Sequence, residues 1–359
     1  MFTMRRGILA TFLSVALLWA LPSPALAADK PQRDVTFIST SDSHYREAER
    51  KAQNERNHLT ILEMNSIAKP WPERSRGLAW PEKLGGDPIA PPRGVVMLGD
   101  CIDDGDRVIV GKHVSPEQYQ AFAADFGLDG TDGALKFPVF ETWGNHDGPP
   151  QGQDKNGFNF QAQLRKRNQA RKAKGLISNL SENGLHYSWD WDDVHFVQLG
   201  IYAADKQRDG VRYSPVWHDP QGALSFLKKD LADKVGESGR PVVLMCHCGV
   251  DTDWWVPADW KEFYDAAKPY NVILYLYGHS GTGLRDWAPE GESRKWQIIN
   301  DGQTTAGFFV IQITGARLRA AYRCKEGVKV TRQPDKSEAY EWGGEWGWRF
   351  LLDKKLTKP

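Results

Sequence analysis

The sequence of 359 residues has few cysteines and no excess of charge of either sign. Four cysteines are too few, in so long a chain, for a scaffold held together by disulfides. Lys and Arg together number 46, as do Asp and Glu, so there is no net charge to attract a polyanion. This balance argues against nucleic acid or an anionic membrane as the main partner. The composition, 40% hydrophobic and 26% charged, is that of a globular protein and excludes disordered, collagenous and coiled-coil chains.

A long apolar run occurs at the start of the chain, where it has the features of an export signal. Arg5 and Arg6 precede residues 8–21, an uncharged stretch that is too short to span a bilayer as a helix. The sequence Ala-Leu-Ala at residues 25–27 is a small-x-small site for signal peptidase. We therefore expect residues 1–27 to be a cleaved signal peptide and the protein to be periplasmic or extracellular, with no membrane span after cleavage. The adjacent arginines leave twin-arginine export open beside the general secretory route.

The remaining chain alternates short apolar runs with helical patterns and then, from residue 296 to 330, has strand after strand. Two β-prone runs within residues 187–199 are joined by an Asp-Asp pair and predict a hairpin. This order predicts one α/β sandwich domain, residues 28–331, rather than two domains. A tryptophan-rich tail, residues 332–359, is expected to pack on that domain through its rings.

Five predicted strands each end in a loop that carries Asp, Asn or His. The loops contain Asp42-Ser43-His44, Gly99-Asp100-Cys101-Ile102-Asp103, Gly144-Asn145-His146-Asp147, His247, and Gly278-His279. Because ligands of α/β folds bind at the carboxyl ends of strands, these loops can converge on one site. Carboxylate, imidazole and amide oxygen suit divalent Mn, Fe or Zn better than calcium. Asp100 lies where one carboxylate can bridge two ions, and two ions about 3.5–4 Å apart form a clamp for a phosphorus centre.

The five loops resemble, in order, the sequence blocks of the calcineurin-like metallophosphoesterases: D-x-H, G-D-x-x-D, G-N-H-[DE], a lone His after a strand, and G-H-x-H. The resemblance spans about residues 35–325. It implies a four-layer α/β/β/α sandwich, in which two facing mixed sheets are flanked by helices. It also implies a hydrolase with two divalent metal ions that cleaves phosphate mono- or diesters by in-line attack of a metal-bound hydroxide.

The resemblance assigns a role to each matching residue. It places Asp42, His44 and Asp100 on the first ion, and it makes Asp100 a bridge to a second ion completed by Asn145, His247 and His279. Asp100 and His146 are then the catalytic residues, because His146 faces the substrate and contacts the phosphoryl group or protonates the leaving oxygen. Asp103 is expected behind the ligands, where it holds the loop or orients one of them.

One position departs from the family pattern. Gly281 stands where the last block has its second histidine, which by resemblance binds the first ion. Either a water molecule takes that place in a working enzyme, or the first site is degraded. In the second case the protein is weakly active or is a non-catalytic phosphate- or nucleotide-binding protein.

Three other features each allow two interpretations. Trp254 and Trp255 form a wall of the substrate pocket or belong to the core. The basic stretch at 165–174 is a solvated helix face rather than a binding surface for an anionic substrate. Cys101, Cys246 and Cys248 are small packed residues near the site, although a metal or a disulfide remains open for them.

Overall fold

A computed structural model of the chain describes residues 33–68, 77–105, 108–109, 111–149, 158–208, 217–250, 255–333 and 338–356, so the predicted signal peptide lies outside the described residues. The helices within them are α1 (Ala52–Asn65), α2 (Ser115–Phe126), α3 (Phe160–Ala173), α4 (Ala223–Asp230) and α5 (Pro257–Ala267). Short helical turns occur at Ala48–Arg50, Glu82–Leu84 and Leu231–Val235.

Most strands belong to two large mixed sheets. The strands, in chain order, are β1 (Asp34–Thr40), β2 (Val95–Met97), β3 (Val108–Ile109), β4 (Lys112–His113), β5 (Val139–Glu141), β6 (Asn179–Leu180), β7 (Tyr187–Trp191), β8 (Val194–Gln198), β9 (Pro241–Met245), β10 (Asn271–Tyr277), β11 (Thr282–Trp287), β12 (Trp296–Asp301), β13 (Gly307–Thr314), β14 (Arg317–Lys325), β15 (Lys329–Arg332), β16 (Glu338–Glu341) and β17 (Trp346–Lys355). Strands β3 and β4 form one small ribbon and β15 and β16 another.

Each large sheet has a parallel part that carries the predicted site loops. The first sheet has the order β17-β14-β13-β1-β2-β5, in which β1, β2 and β5 are parallel. The second has the order β11-β12-β10-β9-β8-β7-β6, in which β8, β9, β10 and β12 are parallel. Since the carboxyl ends of parallel strands lie at the same edge of a sheet, the loops after β1, β2 and β5 are neighbours, as are those after β9 and β10.

The two sheets pack face to face through aromatic and β-branched side chains. Phe37 of β1 meets Phe196 of β8 edge to face at 5.3 Å, and Phe140 of β5 stacks on Trp189 of β7 at 4.3 Å. The outer faces are covered by helices, as Ile61 of α1 illustrates among the fully buried core residues. Such sheet-on-sheet packing with helical outer layers is the predicted four-layer sandwich, which is thus confirmed.

Local structure agrees with the sequence at the hairpin and differs at α3. Strands β7 and β8 pair in antiparallel register around Asp192, as predicted. In α3 the expectation of a solvated basic face is wrong for Arg171, which is fully buried and pairs with Glu141 at the end of β5.

The tryptophan-rich tail contributes an edge strand, because β17 pairs with β14 from Arg317↔Lys355 to Lys325↔Trp346. Its rings lie over cations of β14: the Arg323 guanidinium is 5.0 Å from the Trp348 ring centroid. No helix among the described residues combines the length and the apolar character needed to cross a membrane.

Candidate metal centre

The predicted site residues meet where the parallel strands of both sheets end. We call this group the strand-end cluster and define it by the residues Asp42, His44, Asp100, Asn145, His146, His247 and His279. The first sheet contributes the loops after β1, β2 and β5, and the second contributes those after β9 and β10. The structure therefore brings all the predicted ligands together.

The backbone of the cluster is unusual as well as its side chains. Asp42, His44, Asp100 and His279 all have φ between 45° and 68°, a region that residues other than glycine rarely adopt. Such strained conformations concentrate at functional sites. Glycine is required next to them: a Cβ on Gly144 would lie 2.2 Å from Asp100 Oδ1.

Asp100 lies at the centre of the cluster and is almost fully buried. Its Oδ1 accepts a hydrogen bond of 2.8 Å from the His146 amide. Its Oδ2 lies 3.7 Å from His44 Nε2 on one side and 3.4 Å from His247 Nε2 on the other. One carboxylate thus faces imidazoles from both sheets, which is the position the sequence predicts for a bridging ligand.

On the side of the first sheet, Asp42 and His44 converge. His44 Nε2 lies 3.7 Å from Asp42 Oδ1, and Asp42 Oδ2 accepts 2.8 Å from the His279 amide. Behind the ring, His44 Nδ1 lies 3.3 Å from Asp103 Oδ1, and the same carboxylate pairs with Arg46 at 3.0 Å. Asp103 therefore contacts the far nitrogen of the ring, where a residue that orients His44 is expected.

On the side of the second sheet, the hydrogen bonds fix the tautomer of His247. Its Nδ1 lies 2.7 Å from the carbonyl oxygen of Leu98, and since a carbonyl only accepts, Nδ1 is the donor. In the neutral ring Nε2 then carries a lone pair, which faces Asn145 Oδ1 at 3.0 Å and Asp100 Oδ2 at 3.4 Å. Either a proton on Nε2 or a metal ion between these three atoms satisfies them, so the donor set fits a metal ion.

The pKa values show the same demand for positive charge. Burial lowers the pKa of His247, but the Asp100 carboxylate outweighs it and raises the pKa to about 9. Burial likewise opposes charge on His44, whose neighbours Asp103, Asp42 and Asp100 nevertheless raise its pKa well above the usual value. For His279 burial and the nearby His247 prevail and lower the pKa to about 4, which leaves a neutral imidazole able to bind metal.

The His146 imidazole is more exposed than those of His44 and His247. Its side chain is 35% exposed, against 12% for His44 and 0% for His247. Its Nδ1 lies 2.7 Å from the carbonyl oxygen of Asp103, so Nδ1 donates and Nε2 is the nitrogen left for other partners. The ring meets His44 edge to face at 4.5 Å.

Among the described residues, three groups of side chains could each hold an ion, because their donor atoms lie within 4.8 Å of one another. They are His44, Asp100 and His146; Asp42, Asp100 and His247; and His247, Cys248 and His279. Asp100 and His247 each belong to two groups. The three groups therefore form one continuous set of side chains that could hold metal.

Gly281 lies beside the cluster with φ of 70° and open space where a side chain would project, since a Cβ there meets nothing within 4 Å. The neighbouring backbone is held by Asn300, which donates through Nδ2 to the Ser280 carbonyl and, at 3.2 Å, to its hydroxyl. A histidine at 281 would have room but would need the left-handed backbone that favours glycine.

Two carboxyl groups near the cluster received no role from the sequence. Asp301 ends β12, is fully buried and accepts from Ser39 Oγ, and burial raises its pKa well above the usual value. Asp147 accepts from the Gly144 amide at 2.7 Å and the Ile102 amide at 2.9 Å. Its burial and the Asp100 charge raise its pKa to about 7. The signal for Asp301 was present, because β12 also ends in polar residues at the carboxyl edge.

The predicted pocket tryptophans have different outcomes. Trp254 lies outside the described residues. Trp255 is 4% exposed and packs against Tyr202 at 5.3 Å and Phe263 at 5.7 Å, so its ring lies among core aromatics.

Comparison with known proteins gives one family match. The model of the family described as calcineurin-like phosphoesterase matches residues 37–282. No curated protein matches the chain. Among solved structures, the crystal structure of TT1561 of Thermus thermophilus is similar with a TM-score of 0.39 and 11% identity, covering 78% of this chain and 98% of that one. This structural similarity is too low to support an argument. The residues matched by the family model, in contrast, include every residue of the strand-end cluster.

Proposed function

Since the chain belongs to the calcineurin-like phosphoesterase family, we propose that it is an exported hydrolase of phosphate mono- or diesters with a dinuclear metal site. The observation that carries the proposal is the position of Asp100. Its carboxylate lies between His44 and His247, and it is shared by two of the groups able to hold an ion. A carboxylate between two donor sets is the arrangement that a two-metal phosphoesterase requires.

The proposed ligands divide between the two sheets. Asp42, His44 and Asp100 would hold the first ion, since His44 Nε2 lies 3.7 Å from each of the two carboxylates. Asp100, Asn145, His247 and His279 would hold the second. When bound, two divalent cations of the Mn, Fe or Zn class supply Lewis-acid activation of water and of the phosphoryl oxygen. The identity of the ions depends on the ligands, which combine imidazole, carboxylate and amide oxygen.

The chain's own residues would position and protonate the substrate. The hydrogen bond from His146 Nδ1 to the Asp103 carbonyl turns Nε2 away from that loop, and the ring is more exposed than those of His44 and His247. A protonated Nε2 there can donate to the leaving oxygen of the ester. Asp103, held by Arg46, keeps His44 oriented from behind.

The experiment that tests the proposal is turnover of chromogenic phosphate mono- and diesters by the metal-stripped protein, with and without added Mn²⁺ or Zn²⁺. We expect metal-dependent hydrolysis that Asp100→Asn abolishes. The matched control is Asp353→Asn, which removes a surface carboxylate paired with Arg317. Hydrolysis that survives both metal removal and Asp100→Asn would refute the proposal, and the monoester-to-diester ratio would define the substrate class.

The second candidate, a phosphate-binding protein with a degraded first site, rests on the open position at Gly281. It predicts phosphate binding without turnover. Replacement of Gly281 by His would then restore hydrolysis. The control Gly283→His would not, although Gly283, two residues further along the chain in β11, also faces open space. Turnover by the unaltered protein would instead favour the enzyme.

We also propose export through residues 1–27. Expression of the full chain in a bacterium should yield a mature protein in the periplasm or medium that begins at Ala28, which N-terminal sequencing would establish. A full-length protein retained in the cytoplasm would contradict this part of the proposal.

A further inference from the structure

The loop after β9 carries a thiol as well as the histidine predicted from sequence. In a strand, consecutive side chains point to opposite faces, so neighbours do not share a site. Here β9 ends at Met245, and the chain then turns. In this turn the His247 amide donates a hydrogen bond to the Gly200 carbonyl, and the Cys248 amide donates one to the Ile201 carbonyl. The turn brings the sulfur of Cys248 within 4.8 Å of ring nitrogens of both His247 and His279.

The position of this thiol is fixed by its surroundings. Cys248 is fully buried, and its carbonyl oxygen accepts a hydrogen bond of 2.9 Å from Tyr275 Oη. The next residue, Gly249, faces the ring of Tyr277, where a Cβ would come within 2.1 Å of ring carbons. Only glycine fits there, so the turn that directs Cys248 toward the imidazoles has little freedom to change.

The neighbouring thiol, Cys246, shows what a cysteine without this role looks like. Its sulfur lies 2.8 Å from Tyr275 Oη. The Cys246 sulfur also lies 3.5 Å from the Cys248 carbonyl oxygen, to which the thiol donates. Burial raises the pKa of Cys246 to about 12, which keeps it protonated. It therefore serves as a matched control.

From the group formed by His247, Cys248 and His279, we infer that Cys248 is an additional, sulfur ligand of the ion that the second sheet holds. The inference rests on the proposed function, since it concerns the same metal centre. As the metal–sulfur bond forms, the thiol proton passes to water. A thiolate beside two imidazoles favours Zn²⁺, Fe²⁺ or Co²⁺ over Mn²⁺ or Mg²⁺. Cys248 would thus determine which metal this protein selects.

The test uses the purified protein, stripped of metal and loaded with Co²⁺, as an optical probe. We expect the near-ultraviolet absorption of sulfur-to-cobalt charge transfer in the unaltered protein and in Cys246→Ser, and its loss in Cys248→Ser. In competition, the preference of Cys248→Ser for Zn²⁺ over Mn²⁺ should fall by about tenfold or more. Circular dichroism checks that each variant is folded.

A second measurement needs no variant. X-ray absorption of the Zn²⁺-loaded protein should show one sulfur at about 2.3 Å from zinc. Bound zinc or cobalt with only nitrogen and oxygen neighbours would overturn the role of Cys248 and leave the metal centre standing. If neither ion binds at all, and Asp100→Asn makes no difference, the proposed function itself fails along with the inference.

Discussion

Two buried histidine–carboxylate clusters in this protein use the same residue types for different ends. In the first, the strand-end cluster, His247 donates through Nδ1 to a backbone carbonyl and turns Nε2 toward two oxygen acceptors. In the second, His195 of β8 has a carboxylate 2.7 Å from each nitrogen, Asp190 at Nδ1 and Asp230 at Nε2. We call His195, Asp190, Asp230 and Arg240 the His195 network. A histidine with both nitrogens matched by carboxylates is complete, whereas His247 needs a cation.

The two clusters also differ in their backbone conformation. Asp190, His195 and Asp230 lie on regular elements, β7, β8 and α4, with no positive φ among them. The strand-end cluster lies on loops in which Asp42 has a φ of 51° and His279 a φ of 68°. The strained backbone thus lies at the proposed metal site, whereas the His195 network lies on regular secondary structure.

The largest expected effect concerns Asp100. Asp100→Asn removes the charge between His44 and His247, so kcat/KM for a phosphate ester should fall by about a thousandfold or more. Steady-state kinetics with metal analysis of each protein would measure this. The matched change in the other cluster, His195→Asn, should leave kcat/KM within about twofold. Comparable losses of kcat/KM in the two variants would contradict the assignment of catalysis to the strand-end cluster alone.

For the free energy of unfolding, the order of the two variants should be reversed, with the larger loss in His195→Asn. His195→Asn leaves the fully buried Asp230 without its imidazole partner, so the free energy of unfolding should fall by about 3 kcal/mol. For the metal-free protein, Asp100→Asn removes the carboxylate partner of His247 but also relieves charge on the neighbouring Asp147, so its cost should stay below that of His195→Asn. Urea unfolding of the metal-free proteins tests both expectations, and equal destabilisation would contradict the account.

His146 separates substrate chemistry from metal binding within the strand-end cluster. His146→Gln should lower kcat by about a hundredfold while KM and the metal content stay near their original values. Metal analysis beside the kinetics decides the point. Loss of an ion in this variant would place His146 among the ligands, as its proximity to His44 and Asp100 also allows.

The smallest effect is a pH dependence of stability. Burial lowers the pKa of His195, but Asp190 and Asp230 outweigh it and raise the pKa above the usual value. The stabilisation is therefore complete below the unfolded pKa of about 6.5 and is lost as pH rises through the folded pKa. The difference in unfolding free energy between the unaltered protein and His195→Asn should shrink as the pH rises above about 6.5. A difference that grows with pH would contradict a raised pKa of His195 in the folded protein.

The sequence predicts the strand-end cluster because each apolar run stops at a polar residue, as with Thr40 before Asp42, and because the blocks occur in family order. It predicts an α/β sandwich because apolar runs alternate with helical patterns, and the resemblance implies the four layers. It does not predict the buried pair of Glu141 and Arg171, since an arginine in a basic helix looks solvated until the sheet beneath it is known. The pairing of β17 with β14 is also hidden, because the tail has no clear period of two.

The central claim is that Asp100 lies between two bound ions. Anomalous diffraction from crystals of the protein soaked in Mn²⁺ or Zn²⁺ tests it most directly. The account predicts two peaks about 3.5–4 Å apart, one on each side of the Asp100 carboxylate. A single peak that His247 and His279 hold without Asp100, or no peak in the strand-end cluster, would contradict it.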